Sequence, residues 1–360
     1  MNMIGLFPLT GNGGIASWTK KFLSSFPDDE YCFFPVNVSP NEKPSGKLNR
    51  FIIGLKATNR IKRDIKKIIE ANRIDILHTT TSGNLGSLRD IEVARLCHRN
   101  GIKTIMHCRY GCIPEDYKNN GIVGRSLRKS LNLYDQIWVL DKRTYHFLKG
   151  IDTLQDKVFL TPNSIGIVEE KDIRPKDYRR VAFVGNLYPT KGLFELTEAA
   201  LECDVRLDII GPGTKEVNQR LREIAGGEIN HKIFIHGRLP NTEAVKYMHE
   251  VDIIALPTYY ASEAFPISIL EAMSLTKMVI SCPRAAVPDM LTDIDGNPCG
   301  KLVQEKSVQS IVDAINWCQM NKGKADQMCQ KAYEKVYNCY RTDVVYDIYR
   351  HNYNLLMNSK

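Results

Sequence analysis

Short β-branched and apolar runs alternate with stretches of helical periodicity along nearly all of this 360-residue chain. That alternation restricts it to parallel sheets flanked by helices. Met3–Pro8, Ile74–His78, Lys103–His107 and Gln136–Leu140 read as strands, and Ile15–Phe26, Arg60–Ala71 and Leu88–Arg99 as helices. Each strand ends in polar or glycine-rich residues, as buried parallel strands do. A less regular stretch, Thr161–Tyr178, carries Pro162, Gly166 and Pro175 and reads as a linker. The alternation then restarts, with strands at Arg180–Val184, Arg206–Ile210, Lys232–His236, Asp252–Leu256 and Met278–Ser281. Helices fall at Phe194–Glu202, Thr242–Glu250 with Asn241 as cap, and Pro266–Leu275. The length suits two cores better than one. The pattern predicts doubly wound domains over 1–165 and 166–339, and a helix over 340–360 that packs back on the first. In such folds ligands sit outside the carboxyl ends of the strands.

Composition narrows the function classes. With 43% hydrophobic and 25% charged residues the chain has the balance of a globular protein. No apolar run approaches the ~20 residues of a membrane helix, and Met1–Ser17 lacks a signal-peptide pattern, so a cytoplasmic location is expected. The ten cysteines are scattered, as reduced core thiols would be. His107, Cys108 and Cys112 have no second ligand pair at a zinc-site spacing, and no metal is expected. Residues 1–165 hold 25 Lys and Arg against 15 Asp and Glu, whereas the remainder holds 24 against 26. The basic excess is densest over 47–67, where Ile61 and Ile65 mark the inner face of an amphipathic helix and Arg60, Arg63 and Lys67 its basic side. That side is either a solvated helix face or a contact for an anionic membrane surface or a phosphorylated acceptor. Nucleic acid is not an expected partner, because no binding module or interleaved aromatics accompany the charge.

The segment Pro257-Thr-Tyr-Tyr-Ala-Ser-Glu-Ala-Phe-Pro-Ile-Ser-Ile-Leu-Glu-Ala-Met273 follows a strand and opens a helix. Glu263 falls in the loop and Glu271 in the first turns. The amides of Ile267 and Ser268 at the helix start would suit a phosphate between two sugar-hydroxyl acceptors. Ser268 and Glu271 also fit a capping box, an alternative role for that carboxylate. Lys191, a cation in a glycine-flanked strand-to-helix turn, suits a phosphate.

This segment resembles the Glu-x7-Glu signature of the family-4 retaining glycosyltransferases, the glycosyl transferases group 1. Further matches run in the family's order: Gly13-Gly14, His107, Pro162-Asn163, Val184-Gly185 through Lys191-Gly192, Ile210-Gly-Pro-Gly213, His236-Gly237 and Gly300-Lys-Leu-Val303. The resemblance implies a GT-B fold of two facing Rossmann-like domains with a cleft between them, the first on the acceptor side and the second binding a nucleotide-sugar, a UDP-sugar foremost. It gives Glu271 the ribose, Glu263 the donor sugar and Lys191 the diphosphate, with help from amides near Gly14, Ile267 and Ser268. Asn186, Phe265 and Pro266 belong to the same donor pocket, His107 lines its sugar side, and Arg238-Leu239 meet the base. Glu263, Lys191 and His107 are thereby the catalytic candidates. No cofactor or metal is implied, only the nucleotide-sugar as substrate and a glycan or lipid-linked acceptor, with retention at the anomeric carbon. Many family members carry Arg where this chain has Asn186, and Arg109 is a candidate for the missing charge. A sugar-nucleotide epimerase shares this architecture, and a non-catalytic binding protein is a further alternative. A dinucleotide oxidoreductase is disfavoured, because the strand-like run at Tyr31–Phe34 ends in Pro35-Val-Asn37 and not in an acid.

Overall fold

The computed structural model describes residues 1–358 except 12, 27, 40–45, 85 and 167–173, together with the side chains of those residues other than 47, 48, 50, 51 and 241. The chain divides into two units, Met1–Pro162 with Tyr346–Lys360, and Asn163–Val345.

The first unit is built on strands β1 (Asn2–Phe7), β2 (Cys32–Asn37), β3 (Ile76–Thr81), β4 (Lys103–Cys108), β5 (Gln136–Val139) and β6 (Val158–Leu160). All are parallel, in the order β2-β1-β3-β4-β5-β6. Its helices are α1 (Gly14–Ser25), α2 (Lys47–Ala71), α3 (Gly86–His98), α4 (Ile113–Lys118), α5 (Ile122–Leu133) and α6 (Lys142–Lys149). Every residue of β3 and β5 is buried, which is why these runs, His78 and Gln136 apart, are apolar or β-branched without alternation. One aliphatic core joins Ile4, Leu6 and Leu77 to Ile61 and Ile65 of α2 and Val93 of α3. A second gathers Met106, Ile137, Leu127 and Leu131.

A third group is aromatic. Phe22 of α1 and Phe26, which follows it, lie against Tyr346 and Tyr349 of α14 (Thr342–Asn358), and Trp138 against Tyr349 and Tyr353, with centroids 4.9–6.1 Å apart. Burying an aromatic side chain of this size contributes roughly 1.5–3 kcal/mol, so α14 adds substantially to this unit.

The second unit has strands β7 (Arg180–Val184), β8 (Arg206–Ile210), β9 (Ile233–Gly237), β10 (Ile253–Leu256), β11 (Met278–Ser281) and β12 (Lys301–Leu302). They too are parallel, ordered β12-β11-β10-β7-β8-β9. Helices α7 (Leu193–Glu202), α8 (Lys215–Ala225), α9 (Asn241–Glu250), α10 (Ile267–Ser274), α11 (Val287–Met290), α12 (Val308–Met320) and α13 (Lys322–Lys335) accompany them.

Three expectations are corrected. The basic helix begins at Lys47, far upstream of Arg60; the side chain of Lys47 lies outside the described residues. Asn241 is the first residue of α9 and Pro240 its cap position, with no side-chain cap bond. The capping box at Ser268 is absent as well: Pro266 occupies the cap position of α10, which places Ser268 and Glu271 inside the helix.

Candidate active site

In the second sheet the strand order reverses beside β7. The chain runs outward through β8 and β9, then returns to place β10 on the other side of β7. Loops leaving the carboxyl ends of β7 and β10 therefore diverge and leave a crevice, the usual ligand position in doubly wound sheets. Lys191 is carried by the first loop and Glu263 by the second, and they meet there: Nζ lies 3.0 Å from Oε2. The side chains are only 16% and 13% exposed, so water screens the pair weakly. Thr258 Oγ1 donates to the same carboxylate oxygen at 3.4 Å.

Close backbone approach makes this possible. The amide of Tyr259 donates to the carbonyl of Thr190 at 2.9 Å, tying the two loops together. Gly192, at φ +72°, turns the chain into α7, and a Cβ there would stand 2.1 Å from the carbonyl oxygen of Pro257. Behind it, a Cβ on Gly211 (φ +148°) would stand 1.8 Å from the carbonyl oxygen of Gly185. Only glycine meets both the conformation and the space.

The helix α10 starts three residues after Ala264. Its first turn has no side-chain cap, and helix-start amides have no acceptor within the helix. Ile267 and Ser268 are half-buried there, and so is Glu271 one turn on. Phe265 and Pro266 are buried. Phe265 anchors the segment: its ring meets Tyr340 edge-on at 5.3 Å and its carbonyl accepts from Asn163 Nδ2 at 2.9 Å. Asn186 is half-buried in the β7 loop, its carbonyl accepting from the amide of Tyr188. Arg238 and Leu239 follow β9 at the carboxyl edge of the same sheet, Arg238 exposed. His236 is a strand residue, bonded to Asp208 at 2.7 Å. Of the residues expected in the donor pocket, Lys191 and Glu263 meet in an ion pair, while Asn186 lies in the loop after β7 and Ile267, Ser268 and Glu271 lie along α10. Asp293 and Asp295, the other acidic pair, form a turn in which Asp293 accepts from the amides of Asp295 and Asn297 and pairs with Lys331 at 2.7 Å.

Gly13, Gly14 and His107 belong to the first unit. Gly13 caps α1 without a side-chain bond. With Gly14, Thr80, Ser82 and Arg89 it lines a cleft of about 270 Å³ at this sheet's own reversal, beside β1 and β3.

His107 is fully buried. The guanidinium of Arg109 donates to His107 Nε2 at 3.1 Å; His107 Nδ1 lies 3.2 Å from His78 Nε2; and His78 Nδ1 lies 2.6 Å from the Tyr353 hydroxyl. Because a guanidinium only donates, this order leaves His107 Nε2 as acceptor and Nδ1–H as donor, and repeats the pattern in His78. Both rings are neutral. Burial first, and the nearby Arg109 cation second, hold His78 down to about 3 and His107 well below its ordinary range. Both ring nitrogens of His107 are thus engaged inside the unit, and in this structure the ring offers no surface to a sugar. Arg109, 7% exposed over the Trp18 ring at 4.0 Å, is likewise part of this interior.

Tyr188 and Tyr260 are site features the sequence reading did not single out. Each precedes a charged residue of the crevice by three positions, a spacing visible only once Lys191 and Glu263 are known to pair.

These two parallel six-stranded sheets with flanking helices define the protein's class: it has the GT-B fold of two Rossmann-like domains. The crystal structure of Anabaena HepE in complex with UDP superposes with a TM-score of 0.72 over 99% of this chain and 100% of that one, at 14% identity. Residues 167–335, just under half of the chain, match the family model described as Glycosyl transferases group 1. The amylovoran biosynthesis glycosyltransferase AmsK of Erwinia amylovora is 28% identical over 316 residues, 80% of this chain and 72% of AmsK. TuaC of Bacillus subtilis, a glycosyltransferase named for teichuronic acid biosynthesis, is 28% identical over 164 residues, 45% of this chain and 38% of TuaC. The chain therefore spans well under two thirds of TuaC in that match.

Proposed function

We propose that this protein is a retaining, metal-independent glycosyltransferase of family 4 that moves a sugar from a nucleoside-diphosphate donor, a UDP-sugar first, onto a glycan or lipid-linked acceptor. Surface polysaccharide assembly is the setting that the names of AmsK and TuaC support. The observation that carries the reading is the Lys191–Glu263 pair at the β7/β10 reversal, beside the uncapped start of α10.

In this reading the Lys191 ammonium and the amides of Ile267 and Ser268 meet the diphosphate, Glu271 the ribose and Glu263 the donor sugar. The bond from the anomeric carbon to the phosphate oxygen breaks, and its electron pair leaves with the diphosphate. A bond from the acceptor's hydroxyl oxygen forms on the same face, and the hydroxyl proton passes to the departing phosphate. Negative charge grows on the phosphate as the transition state is reached, so a cation and amides already in place lower the barrier without reorganising. The acceptor is assigned to the first unit. The reaction is placed at the cytoplasmic face of the membrane, with the exposed residues Arg63, Lys66 and Lys67 of α2 facing anionic lipid.

Thermal stabilisation by UDP, GDP, ADP and their sugars, with chelator present, tests the donor assignment. The expected result is stabilisation of the wild type by one nucleotide, weakened in Lys191→Ala and Glu271→Ala. Stabilisation that is unchanged in both variants, or that demands a divalent ion, contradicts it.

A further inference from the structure

Two turns of the same kind build the crevice. The amide of Lys191 donates to the carbonyl of Tyr188 at 2.9 Å, and the amide of Glu263 donates to the carbonyl of Tyr260 at 2.9 Å. Each turn therefore begins with a tyrosine and ends with one member of the ion pair. The rings meet as the charges do: their centroids are 6.0 Å apart and their planes inclined by 38°. Both are exposed, Tyr188 at 47% and Tyr260 at 36%, whereas the intervening Tyr259 is half-buried and bonded to Glu195 at 3.1 Å. Two adjoining phenol rings left open beside a nearly buried ion pair are not explained by packing, which has claimed Tyr259 and passed over its neighbours.

We infer that Tyr188 and Tyr260 form an aromatic ledge that stacks against the apolar C–H face of a pyranose ring, setting which sugar the crevice accepts. A pyranose has one chemistry on its faces and another on its rim: C–H groups pack on an aromatic surface, while hydroxyls hydrogen-bond to charged neighbours. The ledge and the Lys191–Glu263 pair supply both within one pair of turns. The pyranose belongs either to the donor or to the acceptor's terminal residue. The inference rests on the glycosyltransferase reading and sharpens it by naming the residues that select the sugar.

Saturation-transfer NMR separates the sources. The donor arm uses UDP-glucose, GDP-mannose and ADP-glucose, with UDP, GDP and ADP as sugar-free controls. The acceptor arm uses the methyl α-glycosides of glucose, galactose and mannose with the binding diphosphate present. Wild-type protein should saturate pyranose ring protons in one arm. Tyr188→Ala and Tyr260→Ala should weaken binding of that probe by about threefold to tenfold, the size of one aromatic contact, and Tyr260→Trp should retain it. Because both side chains are exposed, the melting temperature should not move. Diphosphate binding should be equal in all four proteins. Pyranose saturation that is absent in the wild type or indifferent to both alanines overturns the ledge, as does a loss confined to nucleobase protons. Wild-type protein that binds none of the three diphosphates instead defeats the glycosyltransferase reading, whatever the sugars do.

Discussion

Lys191 Nζ and Glu263 Oε2 stand 3.0 Å apart although 72 positions of sequence separate them, because β7 and β10 are neighbours at the point where the strand order reverses. The pair is intramolecular in this structure, so a ligand phosphate at Lys191 would compete with the Glu263 carboxylate. Binding would redirect the ammonium and leave the carboxylate for sugar hydroxyls.

From this exchange comes the first prediction. Lys191→Ala should weaken diphosphate binding by about ten- to a hundredfold, the ~1.5–3 kcal/mol of a charge-assisted contact. Glu263→Gln should leave that affinity equal or higher while lowering the transfer rate. Calorimetric titration with the diphosphate and a turnover assay check both. Equal losses of diphosphate affinity in the two variants would contradict the division of roles.

The glycines behind the pair give a stability prediction with an internal control. Gly211→Ala places a Cβ at 1.8 Å from the Gly185 carbonyl oxygen, at a φ of +148°. It should lose about 1–3 kcal/mol or more of stability in urea unfolding. Gly54→Ala, in the middle of α2 with nothing within 4 Å of its added Cβ, should gain about 0.5–1 kcal/mol by helix propensity.

What could be read in advance divides along physical lines. Strands buried on both faces announce themselves as runs rich in apolar residues, and Arg180–Val184, Arg206–Ile210 and Met278–Ser281 have the bounds expected of them. The short helices α4 and α6 and the strand β6 carry too few turns or residues for a period to emerge. Lys191 and Glu263, which the structure pairs, are legible because charge in a Gly- or Pro-bearing turn after an apolar strand has few structural uses. Tyr188 and Tyr260 are not, because a tyrosine in sequence looks alike whether it packs, as Tyr349 does, or lies open. His107 could be read two ways, and what settles its place is a chain of partners ending at Tyr353, whose position no local pattern encodes. Arg60 reads as one of the exposed basic residues, yet its guanidinium donates to the carbonyls of Asn37 and Ser39, each at 2.9 Å.

The histidine chain predicts a pH dependence. Both rings have folded pKa values below the ordinary ~6.5, His78 at about 3. Between pH 6.5 and about 3 the unfolded chain therefore binds protons that the folded chain refuses. Their contribution is fully present above about pH 6.5 and falls as the pH drops, by roughly 1.4 kcal/mol per unit for each ring. His78→Asn should remove one proton's share of that slope. Urea unfolding at pH 7 and pH 5 measures it, and an unchanged slope would contradict neutral burial.

The outer face of α2 gives the last prediction, and Arg60 decides its design. Arg63, Lys66 and Lys67 are exposed, while Arg60 is half-buried against Asn37 and Ser39. Reversing Arg60 would therefore break local structure as well as charge, and a loss of binding from it would be uninformative. Upstream on the same helix Ile52 and Leu55 are exposed at 43% and 52%, so the face joins an apolar start to a basic continuation, as interfacial helices do. Sedimentation with phosphatidylserine vesicles should be strong at low salt and fall steeply as salt is raised. The triple reversal Arg63→Glu, Lys66→Glu and Lys67→Glu should lower binding, by about 1 kcal/mol for each basic residue lost, with the melting temperature retained. Ile52→Ser with Leu55→Ser should lower the part of binding that survives at high salt. Binding that ignores both sets of substitutions would leave this face as an ordinary solvated helix surface and remove the membrane from the proposed setting.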